Sequence, residues 1–127
     1  MTNMRLEDIK FKAKKLDNGE WVEGDLLHAE KVTMIAPING GSHVVDPSTV
    51  CQYTGEKDMN GKDIYVGDII SNLETGSVVE TVWNDRLKRF DCKFLNGAKN
   101  GLVPFGLVVS KYKRIVVLMS KFDKKIL

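Results

Sequence analysis

Cysteine, histidine and long apolar runs are all scarce in this chain of 127 residues. Cys51 and Cys92 lie far apart and form no CxxC motif, so we interpret them as reduced, half-buried strand residues, with a disulfide as the alternative. His28 and His43 share no ligand spacing with the cysteines, which argues against a metal site. The N-terminus is charged and no apolar run approaches the length of a membrane span, so we expect no export signal and no membrane partner.

Catalytic sequence motifs are missing as well. The chain contains no GxSxG, no P-loop, no HExxH and no GxGxxG that follows a strand. A Cys–His pair is conceivable, but two residues of each type produce such a pair by chance in any globular chain. We therefore predict that the protein is not an enzyme and that it has no catalytic residues, no cofactor and no metal ion.

The charges are unevenly distributed behind a formal net charge of +2. Residues 1–15 carry five basic and two acidic side chains, residues 16–80 carry three and twelve, and residues 81–127 carry eleven and three. Three interpretations stay open. The charges neutralise one another within one fold, they form complementary patches between subunits, or the basic ends bind an acidic partner such as nucleic acid.

Short strands separated by turn signals make up most of the chain. Residues 9–16 alternate apolar and basic side chains, residues 17–20 indicate a hairpin turn, and residues 21–27 form the partner strand, in which Gly24 predicts a bulge or a bend. Asp46, followed by proline, resembles a helix start, but no periodic segment follows, so a single turn is predicted. Further strands are predicted at residues 32–36, 43–45, 50–53, 68–73, 77–83, 88–95, 102–110 and 114–119.

Strands of this length, with a turn signal about every eight to twelve residues, predict a mostly β chain of short antiparallel strands and hairpins without a long helix. We treat residues 1–127 as one domain, in which an N-terminal β lobe, residues 1–49, precedes an SH3-like β-barrel lobe, residues 50–120. The SH3-like assignment rests on the strand–turn–strand pattern that begins at Gly67-Asp68-Ile69-Ile70. Trp83, in the return strand, is predicted to lie in the core.

Residues 50–70 contain two apolar runs around a polar stretch. Asn60-Gly61 indicates a tight turn, because both residues tolerate a positive φ. Asp58, Asn60 and Asp63 alternate as in a calcium loop, but an EF-hand also needs a downstream glutamate and flanking helices, which are missing. We therefore prefer the interpretation that these side chains hydrogen-bond their own turn.

The same stretch carries the most specific pattern in the chain. Its residues are Gln52-Tyr53-Thr54-Gly55, Asp58, Asn60-Gly61-Lys62 and Ile64-Tyr65-x-Gly67-Asp68-Ile69. This pattern closely resembles the signature of the YopX family of phage and prophage proteins. The resemblance extends to residues 9–27 and 45–50 and weakens after Trp83. It implies a mostly β fold, a phage or prophage origin and self-assembly into a higher oligomer, but no settled biochemical activity and no catalytic residues.

Two hypotheses follow for the function. In the first, the protein is a non-enzymatic phage or prophage accessory protein in the cytoplasm of a bacterial host, a homo-oligomer that serves as a scaffold or binds an unknown protein partner. In the alternative, it is a nucleic-acid-binding module that uses basic strand faces and the SH3-like barrel, with aromatic residues among the cations. Lysines on an edge strand also discourage edge-to-edge pairing, which is the interpretation we favour for residues 10–14. The phosphate contacts predicted by the alternative are Lys10, Lys12, Lys14, Arg86, Lys88, Arg89, Lys111, Lys113 and Arg114.

Overall fold

The computed structural model describes residues 5–97 and 101–123, which form two antiparallel β-sheets and one short α-helix. The elements are β1 (Phe11–Lys14), β2 (Trp21–His28), β3 (Thr33–Ala36), β4 (His43–Val45), β5 (Cys51–Lys57), β6 (Asp63–Tyr65), β7 (Asp68–Asn72), β8 (Val78–Asn84), β9 (Arg89–Phe94), β10 (Leu102–Pro104), α1 (Phe105–Lys111) and β11 (Ile115–Ser120), with 3-10 turns at Leu6–Asp8 and Pro47–Thr49. The strand orders are β4-β3-β2-β1-β5-β6 and β10-β9-β8-β7-β11. The predicted mostly β fold of short antiparallel strands without a long helix is confirmed.

The chain divides into two compact units, residues 1–55 and residues 56–127, each with its own core. The sequence had suggested a lobe boundary after residue 49. In the first unit, β4 returns to the end of β1, because Lys15 forms a bridge with Val45 and the Leu16 N–H donates to the Val44 carbonyl at 3.1 Å. The strands therefore close around a small apolar core, whose buried members are Ala13, Ile35 and Val45.

Gly24 marks the place where β2 changes its partner. Residues 21–24 of this strand pair with β1, and residues 25–28 pair with β3. A Cβ atom at Gly24 would lie 2.2 Å from the Ala36 carbonyl oxygen, so the close approach of the two strands leaves no room for a side chain. The predicted bend at this glycine thus has a steric cause.

The helical turn predicted at Asp46 forms as expected. The Asp46 carboxylate accepts the backbone N–H of Ser48 at 3.0 Å, and Pro47 occupies the first position of the 3-10 turn. Hydrogen bonds from the Ser48 hydroxyl and the Ser48 backbone lower the pKa of the Asp46 carboxyl. The turn ends after Thr49, whose hydroxyl accepts the Lys14 N–H at 2.8 Å and thereby ties the turn to β1.

In the second unit, the last strand of the sheet returns to the first. β11 pairs with β7, and β8, β9 and β10 follow in order on the other side of β7. The described pairs leave β10 and β11 at the two ends of the sheet, so they show no closed barrel, and the SH3-like barrel stays a prediction. The buried core of this unit comprises Ile64, Ile70, Val79, Cys92, Phe105 and Ile115.

The strand predicted for residues 102–110 is wrong beyond Pro104. β10 ends there, and α1 occupies residues 105–111. The β-branched Val108 and Val109 suggested a strand. Together with Phe105 and Tyr112, however, they recur at helical spacing, and all four side chains belong to or pack against the core of this unit. Burial of this one face favours the helix over the local preference for a strand.

Neither cysteine forms a disulfide, as predicted, but both are fully buried rather than half-buried. Cys51 lies at the start of β5 and Cys92 lies within β9. Burial and the neighbouring negative charge of Asp91 raise the pKa of the Cys92 thiol to about 12. The thiol is therefore protonated, and unreactive as a nucleophile, at physiological pH.

Two glycine substitutions should have opposite effects on stability. Gly24→Ala would place its methyl group against the Ala36 backbone, which cannot move aside as a side chain can. We expect it to lower the free energy of unfolding by about 3 kcal/mol. Gly106→Ala, on the exposed side of α1 with open space around it, should raise that free energy by up to ~1 kcal/mol. Urea unfolding would measure both, and equal effects would contradict the steric account.

Candidate functional site

Several of the signature residues are buried and serve the structure of the second unit. Asp68 is fully buried, and its carboxylate accepts the backbone N–H of Tyr65 at 2.8 Å. Gly67 donates its N–H to the Thr81 carbonyl at 2.7 Å and accepts the Lys121 N–H at 2.8 Å. The predicted bend at Gly67-Asp68 therefore connects three segments of the chain through backbone hydrogen bonds.

Asp58 occupies the centre of the turn between β5 and β6. One of its carboxylate oxygens accepts the backbone N–H groups of Asn60 and Lys62, both at 2.9 Å. The other accepts the N–H of Val117 in β11 at 3.0 Å, and the neighbouring Met59 N–H donates to the Ile115 carbonyl at 2.9 Å. The carboxylate thus closes its own turn and attaches that turn to the outer edge of β11.

These contacts account for Asp58, one of the polar residues that resembled a calcium loop. Its carboxylate accepts two N–H groups of its own turn, as the preferred interpretation predicted, and a third from β11, whereas the Asp63 carboxylate pairs with the Lys57 ammonium. Within residues 5–97 and 101–123, no three His, Cys, Asp or Glu side chains lie close enough together to hold a metal ion. Burial raises the pKa of Asp58, but the backbone donors and the charge of Lys62 outweigh it and hold the pKa below 3.8.

An apolar groove lies between α1 and the sheet of the second unit, with a volume of about 290 Å³. We call it the helix groove. The residues that line it come from every strand of this sheet and from the helix. Its apolar wall includes Ile70, Val79, Phe94, Val103, Leu107 and Val108, and its polar residues include Asn72, Ser77 and Lys111.

The nine predicted phosphate contacts form three separate groups. The first belongs to the first unit, where the ammonium groups of Lys12 and Lys14 lie 4.5 and 5.5 Å from the centroid of the Trp21 ring. Lys10 lies in the same way over Tyr53, at 4.7 Å. These lysines therefore make cation–π contacts and cover aromatic surface on their own sheet. Because β1 pairs with both β2 and β5, the interpretation of residues 10–14 as an edge strand is wrong.

The other two groups lie at opposite ends of β8. Lys113 and Arg114 donate their backbone N–H groups to the Glu74 carboxylate, in the turn that precedes β8, and Lys111 lies close by at the end of α1. Arg86 and Lys88 belong to the turn that follows β8, and Arg89 is the first residue of β9. A strand of seven residues separates the ends by about 20 Å, so the two groups form distinct patches of the second unit.

Trp83 is not a core residue, which corrects the sequence prediction. Its exposed fraction is 45%, and its ring contacts Phe90 edge to face, with a centroid distance of 5.2 Å. Trp83 pairs with Phe90 next to the last pair of the hairpin, close to the β8–β9 turn. The prediction treated an isolated indole as a packing residue and did not take into account that Trp83 lies next to the turn at the end of its strand.

The comparison with known families supports the resemblance seen in the signature. The family described as YopX protein matches residues 10–117, which is most of the chain. The chain belongs to the YopX family. The family is phage-associated and of unknown activity, and no curated protein matches this chain. No helix among the described residues of this YopX protein is long and apolar enough to cross a membrane.

Sequence reasoning missed two features of this YopX protein, the helix groove and the exposed indole. The groove depends on α1, and the recurrence of Phe105, Val108, Val109 and Tyr112 at helical spacing was the available signal. For Trp83, the signal was its place directly before the polar turn that begins at Asn84-Asp85. A residue at the end of a strand has fewer neighbours than one in its middle.

Substitution of Asp58 should destabilise the protein in a pH-dependent way. Asp58→Ala would leave three backbone N–H groups without their acceptor, and we expect a loss of about 3 kcal/mol. Because the pKa of Asp58 is depressed in the folded state, its ionised form stabilises the fold above pH 3.8, and this contribution is lost as the pH falls further.

Chemical denaturation at several pH values would measure the effect. Asp58→Asn should flatten the acid-side decline in stability, whereas Asp17→Asn, in an exposed hairpin turn, should leave the wild-type profile unchanged. An Asp58→Asn profile that still follows the wild type would contradict the role given to this carboxylate.

Proposed function

We propose that this YopX protein is a non-enzymatic binding module, and that its helix groove receives an apolar segment of a partner protein. The observation that carries the proposal is the groove itself, an open apolar space beside the helix that reaches the core residues Ile70, Val79 and Ile115. A volume of about 290 Å³ is close to the lower end of the range for ligand pockets.

The edge of the groove supports a macromolecular partner. Leu107 of α1 lines the groove and has an exposed fraction of 65%. Leu102, in the neighbouring β10, is also exposed. Exposed leucines that adjoin an apolar groove are typical of surfaces on which another chain packs, because burial of their side chains is the main gain on binding.

The buried ionisable groups of the second unit favour binding over catalysis. Asp58 and Asp68 accept backbone hydrogen bonds, and Asp91 accepts hydrogen bonds from Asn84 and Arg89, so all three have structural partners. The raised pKa of Cys92 makes its thiol a poor nucleophile. A non-enzymatic role therefore remains our proposal.

Self-assembly in the cytoplasm of a bacterial host is a further part of this proposal. The sheet edges of the second unit favour assembly through side chains over strand pairing. β10 has only three residues and ends in Pro104, and the Asp58 turn covers β11 at Ile115 and Val117.

Nucleic-acid binding is the second candidate function, and the distribution of charge between the units favours it. Residues 56–127 contain thirteen Lys and Arg against nine Asp and Glu, whereas residues 1–55 contain six against eight. A steep fall of affinity with salt would indicate nucleic-acid binding, since each neutralised phosphate releases counterions. Apolar binding in the helix groove would be much less sensitive to salt.

Peptide-display selection on the intact protein should enrich apolar sequences that bind in the helix groove. Leu107→Asp would place a carboxylate at the groove, and we expect it to weaken the selected peptides at least about tenfold. Leu118→Asp is the matched control, because Leu118 is similarly exposed but lies on β11, away from the groove lining. Calorimetric titration would measure both, and equal affinities for wild type and Leu107→Asp would contradict the proposal.

Light scattering after size-exclusion chromatography should reveal a discrete multimer. If complementary charge patches hold it together, high salt should dissociate it; if apolar contacts do, the mass should be independent of salt. Absorbance at two wavelengths would detect co-purifying nucleic acid in the same run. A monomer at every salt concentration would contradict self-assembly.

A further inference from the structure

The β8–β9 hairpin places an exposed indole next to a basic turn. The indole of Trp83 packs edge to face on Phe90, with an interplanar angle of 68°, and Phe90 in turn packs against the core. The ring is therefore held by a rigid neighbour while nearly half of its surface stays in contact with water. We call this place the tryptophan corner, and it comprises Trp83, Arg86, Lys88, Arg89 and Phe90.

Lys88 adopts an unfavourable backbone conformation at this corner. Its φ is +55°, and among the described residues it is the one non-glycine residue with a positive φ. A side chain in the left-handed region costs free energy that glycine would avoid. The Lys88 ammonium pairs with Asp85 at 2.8 Å, but both side chains are largely exposed, and such pairs contribute little to stability. Stability therefore gives no reason for a lysine at this position.

Arg89 is held in place by a buried carboxylate. Its Nε donates to Asp91 at 2.7 Å, and Asn84 donates to the second oxygen of the same carboxylate at 2.7 Å. The Asp91 side chain is fully buried, whereas that of Arg89 is 41% exposed. The guanidinium is thus oriented by a fixed partner and still reaches solvent, and Arg86, in the turn that precedes it in the chain, is exposed.

We propose that the tryptophan corner is a contact site for single-stranded nucleic acid. A base would stack on Trp83, and Arg86, Lys88 and Arg89 would contact the adjacent phosphates. The inference rests on the second candidate function, nucleic-acid binding, and specifies where and how it occurs. Single strands fit better than duplexes because an unstacked base has a free face for the indole, whereas paired bases are already stacked.

The site includes one unfavourable charge. Asp85 lies in the same turn and pairs with Lys88, so a phosphate would compete with its carboxylate for this ammonium group. Removal of that charge should therefore strengthen binding, and Asp85→Asn should raise the affinity a few-fold. A turn with a purely structural role would not respond in this direction.

The test uses the full chain and a labelled oligothymidylate of about 15 nucleotides, titrated at about 50 mM and about 200 mM salt. The chain has two tryptophans, so a Trp21→Phe background makes the intrinsic fluorescence report on Trp83. We expect the oligonucleotide to quench this fluorescence and Trp83→Leu to lower the affinity about tenfold. Trp83→Phe retains an aromatic face, so it should lower the affinity less than Trp83→Leu does.

Lys88→Gly gives a readout that separates function from folding. It should raise the thermal midpoint, because glycine accepts the positive φ. At the same time it should lower the affinity for the oligonucleotide several-fold. The slope of log affinity against log salt concentration should become smaller by about one, since one phosphate contact is lost. Lys31→Ala is the control, because it replaces an exposed lysine in a turn of the first unit. It should leave the thermal midpoint, the affinity and the salt slope unchanged.

The outcomes separate the inference from the function on which it rests. If the wild type binds the oligonucleotide but Trp83→Leu and Lys88→Gly bind equally well, the corner is not the site, although nucleic-acid binding stands. The same conclusion follows if Lys31→Ala weakens binding as much as Trp83→Leu and Lys88→Gly do, or if the protein binds duplex DNA more tightly than the single-stranded oligonucleotide. If the wild type does not bind even at low salt, both the inference and the second candidate function are wrong.

Discussion

The carboxylate of Asp58 is the contact on which much of the second unit depends. It accepts three backbone N–H groups, two from its own turn and one from β11, which is distant in the sequence. Without such an acceptor, the buried donors would be unsatisfied, and the outer edge of β11 would be open. One side chain therefore shapes a turn and protects an edge of the sheet.

This dependence explains the character of the family signature. Asp58, Gly67 and Asp68 each satisfy backbone groups that the folded chain would otherwise leave unpaired. Short acidic side chains and glycine are suited to this purpose, since the former accept two or three N–H groups and the latter permits a positive φ. The signature consequently describes how the chain folds, and most residues of the two proposed binding surfaces lie outside it.

Those surfaces differ in chemistry and occupy different parts of the second unit. The helix groove is apolar and adjoins α1, whereas the tryptophan corner combines an indole with cations at the β8–β9 turn. Apolar burial dominates in the first and electrostatic attraction in the second, so salt should affect the two in different ways.

The sequence by itself determined the mostly β fold, the hairpins, the helical turn at Asp46, the reduced cysteines and the structural role of Asp58. These features depend on residues that are close in the sequence. Examples are the alternation of apolar and polar residues along a strand and a short side chain that hydrogen-bonds its own turn. The tertiary structure alone decided the helix at residues 105–111, the exposure of Trp83 and the separation of the predicted cations into three groups. Each of these depends on which distant segment packs against a residue, and a pattern along the chain does not contain that information.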